Sequence, residues 1–115
     1  MTQEQKELLL KDLCVRLPHG VKISVNDKVE SLQGINILDN VVEYDSCLSS
    51  DIEEVKPYLF PLSSMTEEQK DDMIKSSCGI GSDKNVFDWY NKNHFDYRGL
   101  IEKGLAIDAT NLSIY

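Results

Sequence analysis

Paired cysteines are the first thing this sequence lacks. Its three, Cys14, Cys47 and Cys78, are odd in number and share no short spacing, which excludes a disulfide framework and leaves no Cys-x-x-Cys turn for a structural zinc. His19 and His94 are the other soft ligands, and the closest pair of the five is Cys14 with His19, so neither a metal nor another cofactor is expected. Long apolar runs are missing too. The longest is Leu8-Leu9-Leu10, far short of a membrane span. The N-terminus opens on polar MTQEQKE instead of a charged and then apolar leader. Together these absences predict a reduced, cytoplasmic protein without a membrane segment.

An excess of positive charge is also absent. Twelve Lys and Arg stand against 20 Asp and Glu, a net charge of −8. Residues 31–75 carry ten acids and three bases, so seven of the eight net charges lie there. A phosphate backbone would be repelled by that section, which disfavours direct nucleic-acid binding. Catalytic spacing is missing as well. There is no nucleophile elbow and no glycine-flanked serine, and Gly79-Ile80-Gly81 is too short for a phosphate loop. Cys78 is the most exposed thiol expected, but a packing role at a helix end explains it better. The turn Asp51, Glu53, Glu54 lacks glycine-spaced ligand positions and reads as a solvated face. No catalytic residue is therefore assigned, and a non-enzymatic protein is expected.

What remains is ordinary globular composition, with 41% hydrophobic and 28% charged residues over 115 positions. That predicts one domain, 1–115, with a single core. Thr2 and Gln5 form a capping-box pair ahead of Leu10, Leu13, Cys14 and Leu17, predicting a helix over Gln3–Leu17 with Glu7, Lys11 and Arg16 facing water. Pro18, His19 and Gly20 stop it. Val21, Ile23 and Val25 alternate as in a half-buried strand, and Asn26-Asp27 turns the chain into a return strand over Val29–Ile37. Gly34 marks a bulge in that return strand. Asp39-Asn40 makes the next turn and Val42–Asp45 a third strand. Ser46–Asp51 reads as loop and Ile52–Val55 as one helical turn. Tyr58–Leu62 reads as an extended edge strand, because Pro57 precedes it and Pro61 lies within it.

Residues 20–62 thus predict a small curled antiparallel sheet or a Src-homology-3-like barrel. Residues 66–109 predict a helical section. Thr66 and Gln69 cap a helix over Glu67–Ser77, Ser82 or Asp83 caps one to Asn93, and Asp96 caps a short one over Tyr97–Lys103 that Gly104 ends. Leu105–Asp108 reads as a final strand, with a loose tail from Ala109 to Tyr115. The fold class expected is α+β.

The stretch Val86–Ala109 carries the only tryptophan and the densest run of rings. Trp89, Phe95 and Leu100 suit a core that ties the helices to the sheet. Trp89, Tyr90, His94, Tyr97 and Arg98 are the residue types that dominate protein interfaces, and they are the candidate partner-binding rim. Two other readings come from the same residues: an acidic decoy that imitates a phosphate track through the acids of 31–75, and a small hydrolase using His94 and Asp96.

Three segments also carry a resemblance: Val55–Leu59, Ser63–Glu68 and above all His94–Ala106, HFDYRGLIEKGLA. In these the chain resembles small proteins from prophage-like or mobile regions of anaerobic gut bacteria. The resemblance implies an accessory role in such an element. It brings no catalytic residue and no cofactor with it.

Overall fold

The computed structural model describes residues 1–44, 48–77 and 82–115, together with the side chains of all of these except 76, 77 and 82–85. Over the described residues the chain is α+β, with an N-terminal helix, a seven-stranded mixed sheet and two further helices. Helix α1 spans Gln3–Arg16. Its first turn is closed by the reciprocal pair expected, Thr2 Oγ1 accepting from the Gln5 N–H and Gln5 Oε1 accepting from the Thr2 N–H. Each bond satisfies a donor that a helix start leaves open, a motif worth about 1 kcal/mol. A single 3₁₀ turn, Leu17–His19, follows, and Gly20 at φ +70 releases the chain toward the sheet.

Strands β1 (Lys22–Val25) and β2 (Lys28–Asn36) form the hairpin that the alternation predicts. Asn26 and Asp27 both have positive φ, 52° and 63°, the geometry of a two-residue turn matched to strand twist. Between Leu32 and Gly34 the register shifts against β3 (Val41–Tyr44), so the bulge lies where the glycine marks it. The expected loop before Asp51 instead holds strand β4 (Leu48–Asp51), paired to β3; Asp45, Ser46 and Cys47 lie outside the described residues.

Strand β5 (Val55–Pro61) follows the expected turn at Ile52–Glu54 and corrects the edge assignment. It is internal, antiparallel to β1 through Val55–Pro57, and parallel to β6 (Phe95–Asp96) and β7 (Ile107–Asp108) farther along. Its prolines are tolerated because every partner is short and none runs the length of the strand. The order is β4-β3-β2-β1-β5-β6, with β7 also on β5. The sheet is therefore mixed and open, not purely antiparallel, and the described strands do not close a barrel.

Helix α2 (Glu67–Ser77) repeats the capping box with Thr66 and Gln69. Helix α3 covers Ser82–Lys92, and its expected cap at Ser82 or Asp83 involves side chains outside the description. The expected helix over Tyr97–Lys103 is a series of turns. Gly99 at φ +73 breaks helical continuity, while the Asp96 carboxylate still caps the turn by accepting from the Leu100 and Ile101 N–H groups at 2.9 Å. Gly104, at φ +74, ends it in left-handed geometry as predicted.

The core lies between the inner face of α1 and the sheet, where Leu9, Leu13, Ile23, Val42, Ile52 and Leu59 meet Leu100 from the C-terminal turns. Each such side chain contributes about 1.5–3 kcal/mol on burial. The tail is not loose. Tyr115 donates to the Tyr58 carbonyl and accepts from the Lys22 N–H, both at 2.8 Å, and stacks on His94 with centroids 3.8 Å apart.

Candidate functional site

The site grows from a charge in the core. Arg16 was expected to face water, yet it is fully buried, as is Asp12 one turn before it. The reason is phase: Leu9, Asp12, Leu13 and Arg16 occupy positions i, i+3, i+4 and i+7 and form the inner face of α1. Asp12 neutralises Arg16 with a 2.8 Å bond from Nε to Oδ2, and its other oxygen accepts from Arg98 Nε at 3.1 Å. Arg16 Nη2 donates to the Phe95 carbonyl at 2.6 Å. One carboxylate thus holds two guanidinium groups and locks α1 to the start of the C-terminal turns.

Tyr97 stands between those guanidinium groups, with Arg16 5.3 Å and Arg98 5.0 Å from its ring centre. Its hydroxyl donates to Asn91 Oδ1 at 2.9 Å and accepts from Arg98 Nη2 at 3.3 Å. Behind it the rings run on without interruption. Tyr97 packs on Phe87 (5.1 Å) and Tyr90 (5.6 Å), Tyr90 meets Trp89 and Phe95, and Phe95 continues through Phe60 to Tyr115 and His94.

The candidate rim residues are divided by this arrangement. Trp89 is interior, 5% exposed, stacked on Phe95 with Nε1 bonded to Asp72 of α2. As a surface residue it is a correction, because a 3.6-residue period turns Trp89 toward the sheet while Phe87 turns outward. His94 is half-buried on the far arm of the ring cluster, against Tyr115. Tyr90, Tyr97 and Arg98 are half-buried and come together.

Beside Tyr97 and Arg98 a cleft of about 570 Å³ opens between α1 and α3. Lys11 and Val15 line it from α1, and Phe87, Asp88 and Asn91 from α3. Phe87 is 48% exposed and Val15 38%. A second groove of about 540 Å³ shares Lys11 and Val15 and runs along α1 past Leu10 and Cys14 to Ile37. Cys14, which the apolar repeat of the sequence places with Leu10, Leu13 and Leu17, is half-buried at its floor. Lys11, Val15, Asn91 and Asp12 were outside the sequence-predicted rim. The signals that could have found them were the α1 phase and the Asp12/Arg16 spacing of four.

Histidine chemistry is quiet here. Burial, then the positive charges of Arg16 and His19, lower the His94 pKa to about 4. Burial likewise pushes the Tyr115 phenol up to about 12. His94 Nδ1 and Arg16 Nη1 are both enclosed without a protein partner among the described residues. Asp96 spends its two oxygens on the turn at Leu100 and Ile101, not on His94. Among the described residues no three His, Cys, Asp or Glu side chains converge as a metal site would need, and no helix is long and apolar enough to cross a membrane. Cys47, Cys78 and Gly79–Gly81 lie outside the described residues. Comparison with family models, curated proteins and solved structures gave no match.

Proposed function

We propose that this chain is a non-enzymatic interaction protein, an accessory of a prophage-like element, that holds a protein partner in the cleft between α1 and α3. The observation that carries this reading is the exposed pair Phe87 and Val15, set over a floor that the buried Asp12–Arg16–Arg98 network keeps fixed. Half-exposed rings on a rigid base are what an interface anchor needs, because little side-chain freedom is lost when the partner arrives. Tyr97 and Arg98 serve as the wall of the site, with Tyr90 packed behind Tyr97. Trp89 and His94 act from behind it as packing.

The decoy reading draws less support. Among the described residues the acids of 31–75 are spread over the β2–β3 turn, β3, β4, the Ile52–Glu54 turn and α2, and several have local work. Asp51 accepts from the Glu53 N–H, Glu53 pairs with Lys6, and Asp72 accepts from Trp89. The hydrolase reading has His94 and Asp96 bound to separate tasks.

The test is capture of partners from the native host with the tagged chain, beside Phe87→Ser and Val15→Ser variants. Both positions are exposed, so circular dichroism melts should match the parent within a few degrees. Loss of the same captured protein from both variants is the expected result. An unchanged captured set would overturn the reading.

A further inference from the structure

Three hydrogen-bond donors around the cleft have no protein acceptor among the described residues: Lys11 Nζ, Arg98 Nη1 and the Asn91 amide nitrogen. The opposing acid in the lining is Asp88. Counting the groups behind the wall, Lys11, Arg16 and Arg98 stand against Asp12 and Asp88, three positive charges to two negative. In a chain of net charge −8 the cleft is thus a place where the local sign reverses. Phe87, Val15 and the Tyr97 ring supply apolar surface beside those donors.

Resting on the interaction reading above, we infer that the cleft is selective for a partner segment carrying an aromatic or large apolar side chain next to a carboxylate. The ring packs between Phe87 and Val15, and the carboxylate takes the free N–H groups of Arg98 and Asn91 with Lys11 at its side. Arg98 is well suited to this, because Asp12 and Tyr97 already hold Nε and Nη2 and so fix the plane of the guanidinium. Asp88 keeps the choice from being indiscriminate: it disfavours a partner whose carboxylate falls beside Asp88 itself and not beside Asn91 and Arg98.

The experiment uses the ¹⁵N-labelled full chain and three blocked peptides of serine and glycine around a central Phe-Glu, Phe-Gln or Phe-Lys pair. Chemical-shift titration should place the Phe-Glu peptide at Val15, Phe87 and Asn91, bound more tightly than Phe-Gln by roughly fivefold, as expected of one solvent-screened charge pair worth about 1 kcal/mol. Phe-Lys should bind most weakly. Lys11→Glu should reverse the order of Phe-Glu and Phe-Lys, and Asp88→Asn should tighten Phe-Glu; both sites are exposed, so neither change threatens the fold. Equal binding of Phe-Glu and Phe-Gln at the cleft would overturn the carboxylate preference and leave the interaction reading standing. Absence of cleft shifts with all three would also overturn it. The interaction reading is judged separately by the Phe87 and Val15 capture variants, which alter no charge.

Discussion

Replacing Asp12 with asparagine removes a charge from the core and leaves the volume unchanged. The side chain is fully buried and accepts from Arg16 at 2.8 Å and from Arg98 at 3.1 Å. Asparagine keeps one oxygen, so one guanidinium loses its acceptor and meets an N–H donor instead. Arg16, itself fully buried, then carries an uncompensated charge. Breaking a buried ion pair from one side costs about 3–5 kcal/mol. With about 2.1 cal/mol/K of unfolding entropy per residue, a 115-residue chain loses roughly 4 °C of Tm per kcal/mol, so Asp12→Asn should melt about 12–20 °C lower. Urea unfolding at pH 7, followed by far-UV circular dichroism, measures the same loss at constant m-value. The double variant Asp12→Leu/Arg16→Met is the control. Apolar replacement of both partners removes the stranded charge, so it should recover most of the stability while Arg98 turns to water. A loss under about 1 kcal/mol for Asp12→Asn would refute the placement of this cluster in the core. So would a double variant as unstable as the single one.

Further outcomes follow from other parts of the fold. His94, with its pKa lowered to about 4 against an ordinary 6.5, is neutral when folded, so the unfolded chain binds more protons between those values. Stability should fall as pH drops from about 6.5 toward 4, and urea midpoints against pH should flatten in His94→Asn, a residue that tolerates the φ of +64° at this position. Gly99→Ala places a side chain at φ +73 and should cost about 1–2 kcal/mol in a thermal melt. Gly34→Ala makes one tight contact, with Oε2 at the far end of the flexible Glu43 side chain, so it should cost less than Gly99→Ala. Trp89, stacked on Phe95 and bonded to Asp72, should emit as a buried indole and resist iodide quenching; Asp72→Ala should raise its quenching by loosening α2 from α3.

Local chemistry was legible wherever a few adjacent residues decide it. Thr2 with Gln5 and Thr66 with Gln69 announced two helix starts, Asn26-Asp27 a tight hairpin turn, and Gly34 a bulge, because each acts on atoms within three or four positions. The misreadings occurred where distant chain segments choose. Proline within Val55–Pro61 argues for an edge, yet the strand is internal because three short partners share its length. Leu48–Asp51 has no alternation worth reading and becomes a strand because β3 offers it a free edge. The tail is ordered by a slot on Phe60 and His94 that its own sequence does not describe.

The candidate site divides on the same line. Composition draws attention to Phe87–Tyr97, part of which lines the cleft, but exposure depends on helix phase and on what approaches from α1. One turn of α3 carries both Phe87, facing out, and Trp89, facing in, so a single aromatic run supplies an exposed ring and a core one. Arg16 is the sharper case. Its long polar side chain suits solvent under any composition rule, and only its seven-residue separation from Leu9 places it on the buried face. Once there, it requires Asp12, and Asp12 in turn fixes Arg98, 86 positions away. The cleft is thus built by a core charge that recruits a surface one, a coupling no local pattern in residues 86–109 contains. If that coupling shapes the site, Asp12→Leu/Arg16→Met should keep its fold and bind the Phe-Glu peptide more weakly, with reduced preference over Phe-Gln. Full retention of that preference by a stable double variant would separate the cleft from the buried network and leave Arg98 positioned by Tyr97 alone.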